Sequence, residues 1–491
     1  MNKRQFTSAL LAIITSTINA QVAQQVPRLV VNISIDQLSS DYLEQFSPLF
    51  GPGGFHEILK NGLVYQNVSF PFTPVDRASA IATVMTGTSP FYHGIIGTGW
   101  FDKKTLRPIS CVDDSAYPGI YTTELSSPRN ILTSTITDEL KLATKGKAIV
   151  YGIACEQDAA ILSAGHAADG AVWKDNYNGG WCTSTYYMNQ APAWLSSFNS
   201  ALSNSKKTDA GHTSDLTNLA LFCLEHTGMG KDVIPDMLNI TFNASVTDSS
   251  NKKKNNKLKK QEEDMQRSVA ESTYVNLDRQ LAALISGIQS KLGREHVLFF
   301  ITGTGHVDVP KDEYAQYRIP TGTFYINRVA NLLNLYFGAL YGSDKYVKGC
   351  CGNQIYLDVE LFDKKRLKYN EMLSLAKSFI LQCEGVRNTY TYESLLSASD
   401  SKTEQIRNGY NAVNGGHILI EVAPGWQLIN EETKEYRQID TRIVRFPLII
   451  YGANTKAQVV QTPVSADRIA PTIAGTINIR APNACSLTSL W

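Results

Sequence analysis

Few residues of this chain have the types and spacing that catalytic chemistry needs. The eight histidines include no His-x-x-x-His pair, the spacing that presents two imidazoles to one metal ion from a helix. No Gly-x-Ser-x-Gly elbow occurs, and the eight cysteines include no Cys-x-x-Cys pair typical of a structural zinc site. Candidate residues must therefore be found from their positions in the predicted strands and helices. The histidines lie at positions 56, 93, 166, 212, 226, 296, 306 and 417.

Asp36 is a candidate because it ends an apolar run. Residues 29–35 read Leu-Val-Val-Asn-Ile-Ser-Ile, which predicts a buried strand of a parallel sheet. In open α/β sheets, ligands bind at the carboxyl ends of the strands. We therefore expect Asp36 at the edge of the sheet where a site would form.

The rest of the chain predicts the same fold class. Apolar runs at 297–302, 418–422 and 446–451 predict further strands, and residues 277–288 and 466–476 predict helices. Alternating buried strands and helices indicate an α/β protein with a mostly parallel central sheet flanked by helices.

The first twenty residues have the organisation of an export signal. Lys3 and Arg4 are followed by an apolar stretch at 9–14 and by Asn19-Ala20 before Gln21. This stretch is too short for a permanent membrane span, and no other segment approaches one. We expect a protein of the periplasm, or one that is secreted or associated with the outer membrane.

The net charge and the cysteines bear on the partner of this protein and on its disulfides. Removal of Lys3 and Arg4 changes the formal net charge from +1 to −1, which argues against nucleic acid as a partner. The cysteines would lie in an oxidising compartment, which permits disulfides, but their spacing does not define the pairing.

Residues 73–98 carry the strongest motif and read TPVDRASAIATVMTGTSPFYHGIIGT. This segment resembles the nucleophile segment of the alkaline phosphatase superfamily, in its single-chain periplasmic phosphate-monoesterase branch. The frame is retained in Thr86-Gly87, Pro90 and residues 93–97. In that register Arg77 stands at the position of the attacking threonine, and Thr98 at that of the closing asparagine.

The resemblance extends along nearly the whole mature chain. Segments 35–37, 138–143, 163–171, 423–426 and 482–485 have counterparts in that branch. It implies one α/β domain over 21–491, with cap insertions at roughly 173–198 and 320–395. A basic segment at 249–264, with a lysine-rich run at 252–260, is predicted to be a flexible loop.

The resemblance also implies two zinc ions, of whose ligands only Asp36 is retained. The expected Asp-x-x-x-His falls at 241–252, where Asp248 is followed by Lys252. The expected adjacent Asp-His is replaced by Thr304-Gly305.

No histidine follows His417 to supply the ligand that the family places near the C-terminus. A shift of one residue that lets His306 reach the site remains open. We therefore expect no zinc and no other cofactor.

The side chains that bind phosphate in that branch are also replaced. Its Lys-Asp-Arg triplet corresponds to Glu156-Gln157-Asp158, so two cations have become acids. We expect Arg77 to form a salt-bridge cluster with Asp36 and with Glu156 or Asp158, in the vacated zinc site. The predicted vestigial pocket comprises Asp36, Arg77, Thr304 and Gly305.

These losses predict a protein that is not an enzyme. The main interpretation is a pseudophosphatase that acts as a scaffold or subunit of an envelope assembly, with another protein as its partner. The alternatives are a rebuilt metal-dependent hydrolase of phosphate or sulfate esters, with Ser79 as a candidate nucleophile, and a protein that binds a small anion or glycan. In the last case Tyr186-Tyr187 and Tyr390-Thr391-Tyr392 would line the cleft.

Overall fold

The computed structural model describes residues 26–204, 212–246, 259–306, 318–397, 399–433, 435–437 and 444–491. The predicted signal at 1–20 lies outside these ranges, as do residues 249–258 of the predicted basic loop. Within the described ranges, no helix has both the length and the apolar character needed to cross a membrane.

Most strands belong to one large mixed sheet, and the others form smaller sheets. In chain order the strands are β1 Leu29–Asp36, β2 Leu63–Ser69, β3 Gly99–Asp102, β4 Arg107–Ser110, β5 Asp113–Ile120, β6 Leu125–Ser126, β7 Val150–Ala154, β8 Gly170–Lys174, β9 Trp181–Ser184, β10 Asp236–Asn243, β11 Val297–Gly303, β12 Gly322–Tyr325, β13 Val347–Cys351, β14 Gln354–Leu357, β15 Val386–Tyr390, β16 Ile418–Val422, β17 Trp426–Asn430, β18 Glu435–Arg437, β19 Phe446–Gly452, β20 Gln458–Val460 and β21 Val464–Ser465.

Helices flank the large sheet, and others pack with the smaller sheets. They are α1 Ser40–Phe46, α2 Phe55–Asn61, α3 Arg77–Thr86, α4 Pro90–His93, α5 Ile136–Ala143, α6 Gln157–Ala164, α7 Ala193–Asn204, α8 His212–Thr227, α9 Lys259–Leu292, α10 Ile326–Tyr341, α11 Val359–Lys364, α12 Tyr369–Ile380, α13 Tyr392–Leu396, α14 Ser401–Asn408 and α15 Ile469–Thr476.

The large sheet has the order β20-β2-β19-β11-β1-β10-β7-β8-β9-β5-β6, with β21 also paired to β2. Its five central strands are parallel, and in sheet order they are β11, β1, β10, β7 and β8, whereas β19 runs antiparallel to β11. Strand β1 is buried along its whole length, because its β-branched and leucine side chains belong to the two apolar clusters on either side of the sheet. The predicted α/β class and the position of Asp36 at the end of β1 are confirmed.

One predicted strand belongs to a different sheet from the one expected. Ile418–Val422 forms β16, which pairs antiparallel with β14 and β15 in a sheet of four strands. Its apolar residues pack in a second hydrophobic core with helices α10 and α12. An apolar run predicts burial but does not say which core buries it, so the sequence could not separate the two sheets.

The sheets β12-β17-β18 and β13-β14-β16-β15 share one core with α10 and α12, and together they form a second unit. This second unit is larger than the predicted cap insertion at 320–395. Strands β16 and β17 add residues 418–430 to its core, so its chain segments continue well beyond Leu395. By contrast, the predicted insertion at 173–198 does not form a cap there, because its strand β9 extends the large sheet by pairing with β8.

The end of the predicted basic loop is helical. Helix α9 begins at Lys259, so residues 259–264 form its first turns rather than a loop. Lysine, glutamine and glutamate are good helix formers, and this preference outweighs the low-complexity composition that suggested a loop.

Candidate functional site

Arg77 is the first residue of α3 and is placed there by a capping box. The Asp76 side chain accepts a hydrogen bond from the Ser79 backbone N–H at 3.0 Å, and the Ser79 hydroxyl accepts one from the Asp76 N–H at 3.0 Å. The other Asp76 carboxylate oxygen accepts from the Thr98 N–H at 2.8 Å. Asp76 therefore fixes the start of the helix and holds the backbone of Thr98 beside it.

The guanidinium of Arg77 lies among three carboxylates. Its Nη2 donates to the two Asp158 oxygens at 2.9 and 3.1 Å, and its Nε lies 3.3 Å from Asp158 Oδ2. Its Nη1 is 3.5 Å from Asp36 Oδ2 and 3.9 Å from Glu156 Oε1. The predicted placement of Arg77 beside these acids is what the structure has, with Asp158 as the closest partner.

The charges of the cluster dominate its electrostatics. Burial acts to lower the pKa of Arg77, but the charges of Asp158, Glu156 and Asp36 outweigh it and raise that pKa. The guanidinium is therefore always protonated, and its position is set by the forked contact with Asp158.

Asp36 is almost completely removed from solvent, with 2% of its surface exposed. Thr304 Oγ1 donates to Asp36 Oδ1 at 2.8 Å, and the Gln37 N–H donates to Thr304 Oγ1 at 3.2 Å. Burial raises the pKa of Asp36 despite the opposing effects of Arg77, Thr304 and His306. Thr304, at the position of a family aspartate, thus serves as a hydrogen-bond donor to the one retained acid.

Glu156 and Asp158 reach the site from the start of α6. Glu156 is the N-cap residue of this helix and Asp158 lies in its first turn, where the helix dipole favours negative charge. Asn243, at the end of β10, donates to Glu156 Oε1 at 2.9 Å. Glu156 Oε2 is buried without a hydrogen-bond partner among the described residues.

The loop after β11 begins with Thr304, Gly305 and His306. Gly305 has a positive φ of 63°, and a side chain there would meet the rings of Phe70 and Phe446 at 2.7 and 2.9 Å. Glycine is thus required at this turn for backbone and packing reasons. The charge of His306 acts to lower the pKa of Asp36, against the larger effect of burial. His306 is not among the residues that line the pocket beside Arg77.

A pocket of about 700 Å³ opens beside Arg77 at the carboxyl ends of the parallel strands. Its lining includes the cluster residues Arg77, Glu156 and Asp158 and the hydroxyl-bearing Thr98 and Ser110.

Residues that the sequence did not identify complete this pocket. Lys174, at the end of β8, lines the pocket with Asp175, Asn176 and Gly179 of the following turn. Glu124 also lines it. The ammonium of Lys174 is 3.3 Å from Asp215. A lysine at the end of an apolar strand, like Asp36 at the end of β1, was the signal that could have found it.

Other candidate residues have structural roles. Ser79 is fully buried, and its hydroxyl donates to Asp76 Oδ1 at 2.9 Å, so it does not reach the pocket. Buried His93 contacts Thr83 Oγ1 at 3.0 Å. His166 Nδ1 contacts Asp138 at 2.8 Å.

The tyrosines proposed to line a cleft are also used for packing. Tyr186 and Tyr187 donate to the carbonyl oxygens of His166 and Gly165 at 3.1 and 3.0 Å. Tyr390 donates to Glu421 at 2.8 Å in the second unit. No disulfide joins any two of the eight cysteines, all of which lie in the described ranges.

The described residues do not fit the pair of zinc ions that the resemblance implies. Asp36 already accepts from Thr304 and faces Arg77, and a guanidinium stands at the position of the metal-bound threonine. In the part of the chain that the structure describes, no three His, Cys, Asp or Glu side chains are grouped as metal ligands.

Family comparison places the chain in a known class. Residues 30–443 match the family described as type I phosphodiesterase / nucleotide pyrophosphatase, and the chain belongs to this family. It is 25% identical to alkaline phosphatase PafA of Elizabethkingia meningoseptica, over 96% of this chain and 95% of that protein. It is also 25% identical to alkaline phosphatase PhoV of Synechococcus elongatus, over 93% of this chain and 91% of that protein.

Solved structures have the same fold. The crystal structure of wild-type alkaline phosphatase PafA matches with a TM-score of 0.81 at 23% identity, covering 95% of this chain and 98% of that one. Murine ectonucleotide pyrophosphatase / phosphodiesterase 5 matches with a TM-score of 0.53 at 13% identity, over 92% of this chain and 95% of that one.

These comparisons correct the functional prediction. Relatives that match almost the whole chain are named alkaline phosphatases, which points to a phosphatase. The predictions of a non-catalytic scaffold and of a chain that is not an enzyme are therefore wrong. These predictions assumed that a chain without the expected motif residues cannot catalyse the reaction. The pocket is nevertheless lined by other charged side chains.

Proposed function

We propose that this chain is an exported hydrolase of phosphoric esters and binds the phosphoryl group in the pocket beside Arg77. Membership of the phosphodiesterase family and full-length similarity to alkaline phosphatases support this class of reaction. The observation that carries the proposal is that Arg77 and Lys174 line one pocket at the carboxyl ends of parallel strands. That is where open α/β sheets bind their ligands.

The cations would hold phosphoryl oxygens and stabilise the charge that develops during transfer. Arg77 uses Nε and Nη2 on Asp158, whereas Nη1 makes only the long contacts to Asp36 and Glu156. We further propose that this site works without the zinc pair, since only Asp36 remains of the ligand set that the resemblance implies.

Hydrolysis assays on the mature chain test the proposal. The substrates are p-nitrophenyl phosphate, bis(p-nitrophenyl) phosphate and p-nitrophenyl sulfate, each with added zinc and with a chelator. We expect release of p-nitrophenol from a phosphate ester in both conditions. No release from any phosphate ester would refute the proposed function, and release from the sulfate alone would replace it with a sulfatase.

Lys174→Ala supplies a sharper test of the pocket. Loss of one cation–phosphoryl contact is expected to raise KM about tenfold, or ~1.4 kcal/mol, near the low end for charge-assisted hydrogen bonds. Lys348→Ala is a matched control, because Lys348 is 3.4 Å from Asp358 and 18% exposed, against 3.3 Å from Asp215 and 15% for Lys174. Equal KM values in the two variants would place the substrate elsewhere.

A further inference from the structure

Four carboxylic acids line the pocket beside Arg77, and one of them differs from the others in its surroundings. Asp158 and Glu156 lie 2.9 and 3.9 Å from the guanidinium of Arg77. Asp175 accepts hydrogen bonds from two backbone N–H groups of its own turn, at 3.0 and 2.8 Å. The fourth acid is Glu124, and no basic side chain of the described ranges lies within 4.0 Å of its carboxylate. Its charged form thus lacks the stabilisation that the other three receive.

A buried indole holds the carboxyl group of Glu124 in place. Trp173 lies in β8 with 1% of its surface exposed, and its Nε1 donates to Glu124 Oε2 at 3.3 Å. The Glu124 backbone N–H donates to Thr122 Oγ1 at 3.3 Å, within the turn that precedes β6. Because Oε2 accepts from the indole, a proton on this carboxyl group is carried by Oε1. One oxygen thus anchors the side chain, and the other is available for proton transfer.

Two acids of the pocket have pKa values that are shifted in opposite directions. Burial raises the pKa of Glu124, the indole hydrogen bond opposes this, and the charge of Asp175 adds to the rise. A hydrogen bond with Thr122 lowers the pKa of Asp175, and the N–H groups of its turn lower it further against the effect of burial. Glu124 therefore keeps its proton to a higher pH than Asp175. A carboxylic acid whose surroundings favour the protonated form in this way is suited to donate a proton.

The other titratable groups that act with Glu124 are a thiol and the two cations of the pocket. Burial, followed by the charges of Asp175 and Glu124, raises the pKa of Cys182 in β9, so this thiol is uncharged at neutral pH. Arg77 and Lys174 supply the positive charge of the pocket. A proton donor and two cations therefore line one cavity. Hydrolysis of a phosphoric ester with a poor leaving group makes use of both.

We propose that Glu124 is the general acid of this site and protonates the leaving oxygen of the ester. The proposal rests on the proposed function, because Arg77 and Lys174 must hold the phosphoryl group in the same pocket. The oxygen of a water molecule forms a bond to phosphorus, and the P–O bond to the leaving group breaks with its electron pair on the leaving oxygen. That oxygen takes the proton of Glu124 and departs as an alcohol. The protons of the attacking water leave with the phosphate product or pass to solvent, and solvent reprotonates Glu124.

Glu124→Gln tests the proposal through the leaving group of the substrate. Glutamine keeps an oxygen that accepts from Trp173, but it has no acidic proton to give. The kinetics are measured on the phenyl and p-nitrophenyl esters of the same phosphate. p-Nitrophenolate departs as an anion, whereas phenol, with a pKa of about 10 like that of tyrosine, leaves poorly without a proton. We expect kcat for the phenyl ester to fall roughly 100-fold, and kcat for the p-nitrophenyl ester to fall less than about tenfold.

Glu57→Gln is the matched control. Glu57 also accepts from an aromatic side chain, since the Tyr451 hydroxyl donates to its Oε1 at 2.7 Å, and it is not among the residues that line the pocket. We expect this variant to keep the wild-type ratio of phenyl to p-nitrophenyl activity. A selective loss on the phenyl ester in Glu57→Gln would overturn the proposal, because the effect would not be specific to the pocket.

The wild type supplies a second measurement that does not depend on the folding of a variant. Because the protonated form of Glu124 is the active one, the ratio of phenyl to p-nitrophenyl kcat should fall as pH rises through the raised pKa of Glu124. A ratio that stays constant with pH, or an equal loss on both esters in Glu124→Gln, would refute the role of Glu124 while leaving the proposed function intact. A wild type that hydrolyses no phosphate ester would refute the proposed function and this proposal together.

Discussion

Replacement of Arg77 by methionine isolates the electrostatic part of its role. Methionine fills most of the side-chain volume and cannot donate a hydrogen bond, so the substitution leaves Asp36, Asp158 and Glu156 without a cation. Unlike Arg77→Ala, it leaves little space for a metal ion or water to compensate. The perturbed quantity is therefore the free energy of unfolding.

The structure sets the size of the expected loss. Removing one partner of a buried ion pair costs about 3–5 kcal/mol. Arg77 and Glu156 are 22% and 24% exposed, so partial solvation places the loss near ~3 kcal/mol at pH 8. Against a typical total stability of about 5–15 kcal/mol, the variant still folds.

The same loss must shrink in acid. Without the guanidinium, burial of Asp36 and Asp158 raises their folded pKa further above the unfolded value of about 3.9. The folded variant then binds more protons than the unfolded chain, so its stability rises as pH falls through the folded pKa. We expect the deficit relative to the wild type to be ~1–2 kcal/mol smaller at pH 5 than at pH 8.

Urea unfolding at both pH values, followed by tryptophan fluorescence, measures these quantities. Arg328→Met serves as the control for loss of an exposed arginine, since the side chains of Arg328 and of its partner Glu431 are 59% and 41% exposed. A loss below about 1 kcal/mol, the range of surface ion pairs, would refute the reasoning. So would a loss of equal size at the two pH values, because it would mean that the acids take up no protons.

Three further predictions concern single titrating groups. Burial raises the pKa of Asp36, so ionisation of Asp36 lowers the stability of the wild type as pH rises above about 4. The loss of stability caused by Asp36→Asn should therefore become smaller between pH 4 and 8. A difference in urea midpoints that does not change with pH would contradict this. Burial acts to lower the pKa of His166, but the hydrogen bond and charge of Asp138 raise it above 6.5. The free energy of unfolding of the wild type should thus be larger than that of His166→Gln by ~1 kcal/mol below pH 6.5. That advantage should disappear as pH rises through the folded pKa, and its persistence at pH 9 would count against the pair. Burial, followed by the charge of Glu156, raises the pKa of Cys155 to about 12, so only ~10⁻⁴ of the thiol is ionised at pH 8. Mass spectrometry should find Cys155 unalkylated by iodoacetamide in the folded chain and alkylated in urea, and rapid labelling of the folded chain would show the thiol to be activated.

The sequence by itself determined the fold class and the identity of several site residues. The apolar run 29–35 ends in an acid, and in a parallel sheet such a residue must lie at the ligand-binding edge. The arginine at position 77 and the acids at 156 and 158 were assigned to one cluster from the resemblance, and the distances of 2.9 to 3.9 Å agree. The resemblance was sufficient here because these residues lie at the end of a strand or at the start of a helix, where the motif fixes their position.

Tertiary structure alone decided what surrounds that cluster. Strand 418–422 joined the second unit, and Lys174 joined the pocket, because packing of distant segments settles which sheet or cavity an apolar or charged residue enters. The turn at Gly305 has a positive φ and would bring a side chain against Phe70, and no spacing rule predicts either feature. The sequence can identify which side chains belong to a site. Only the packing of the folded chain sets the distances between them and the local dielectric, which determine the strength of their electrostatic interactions.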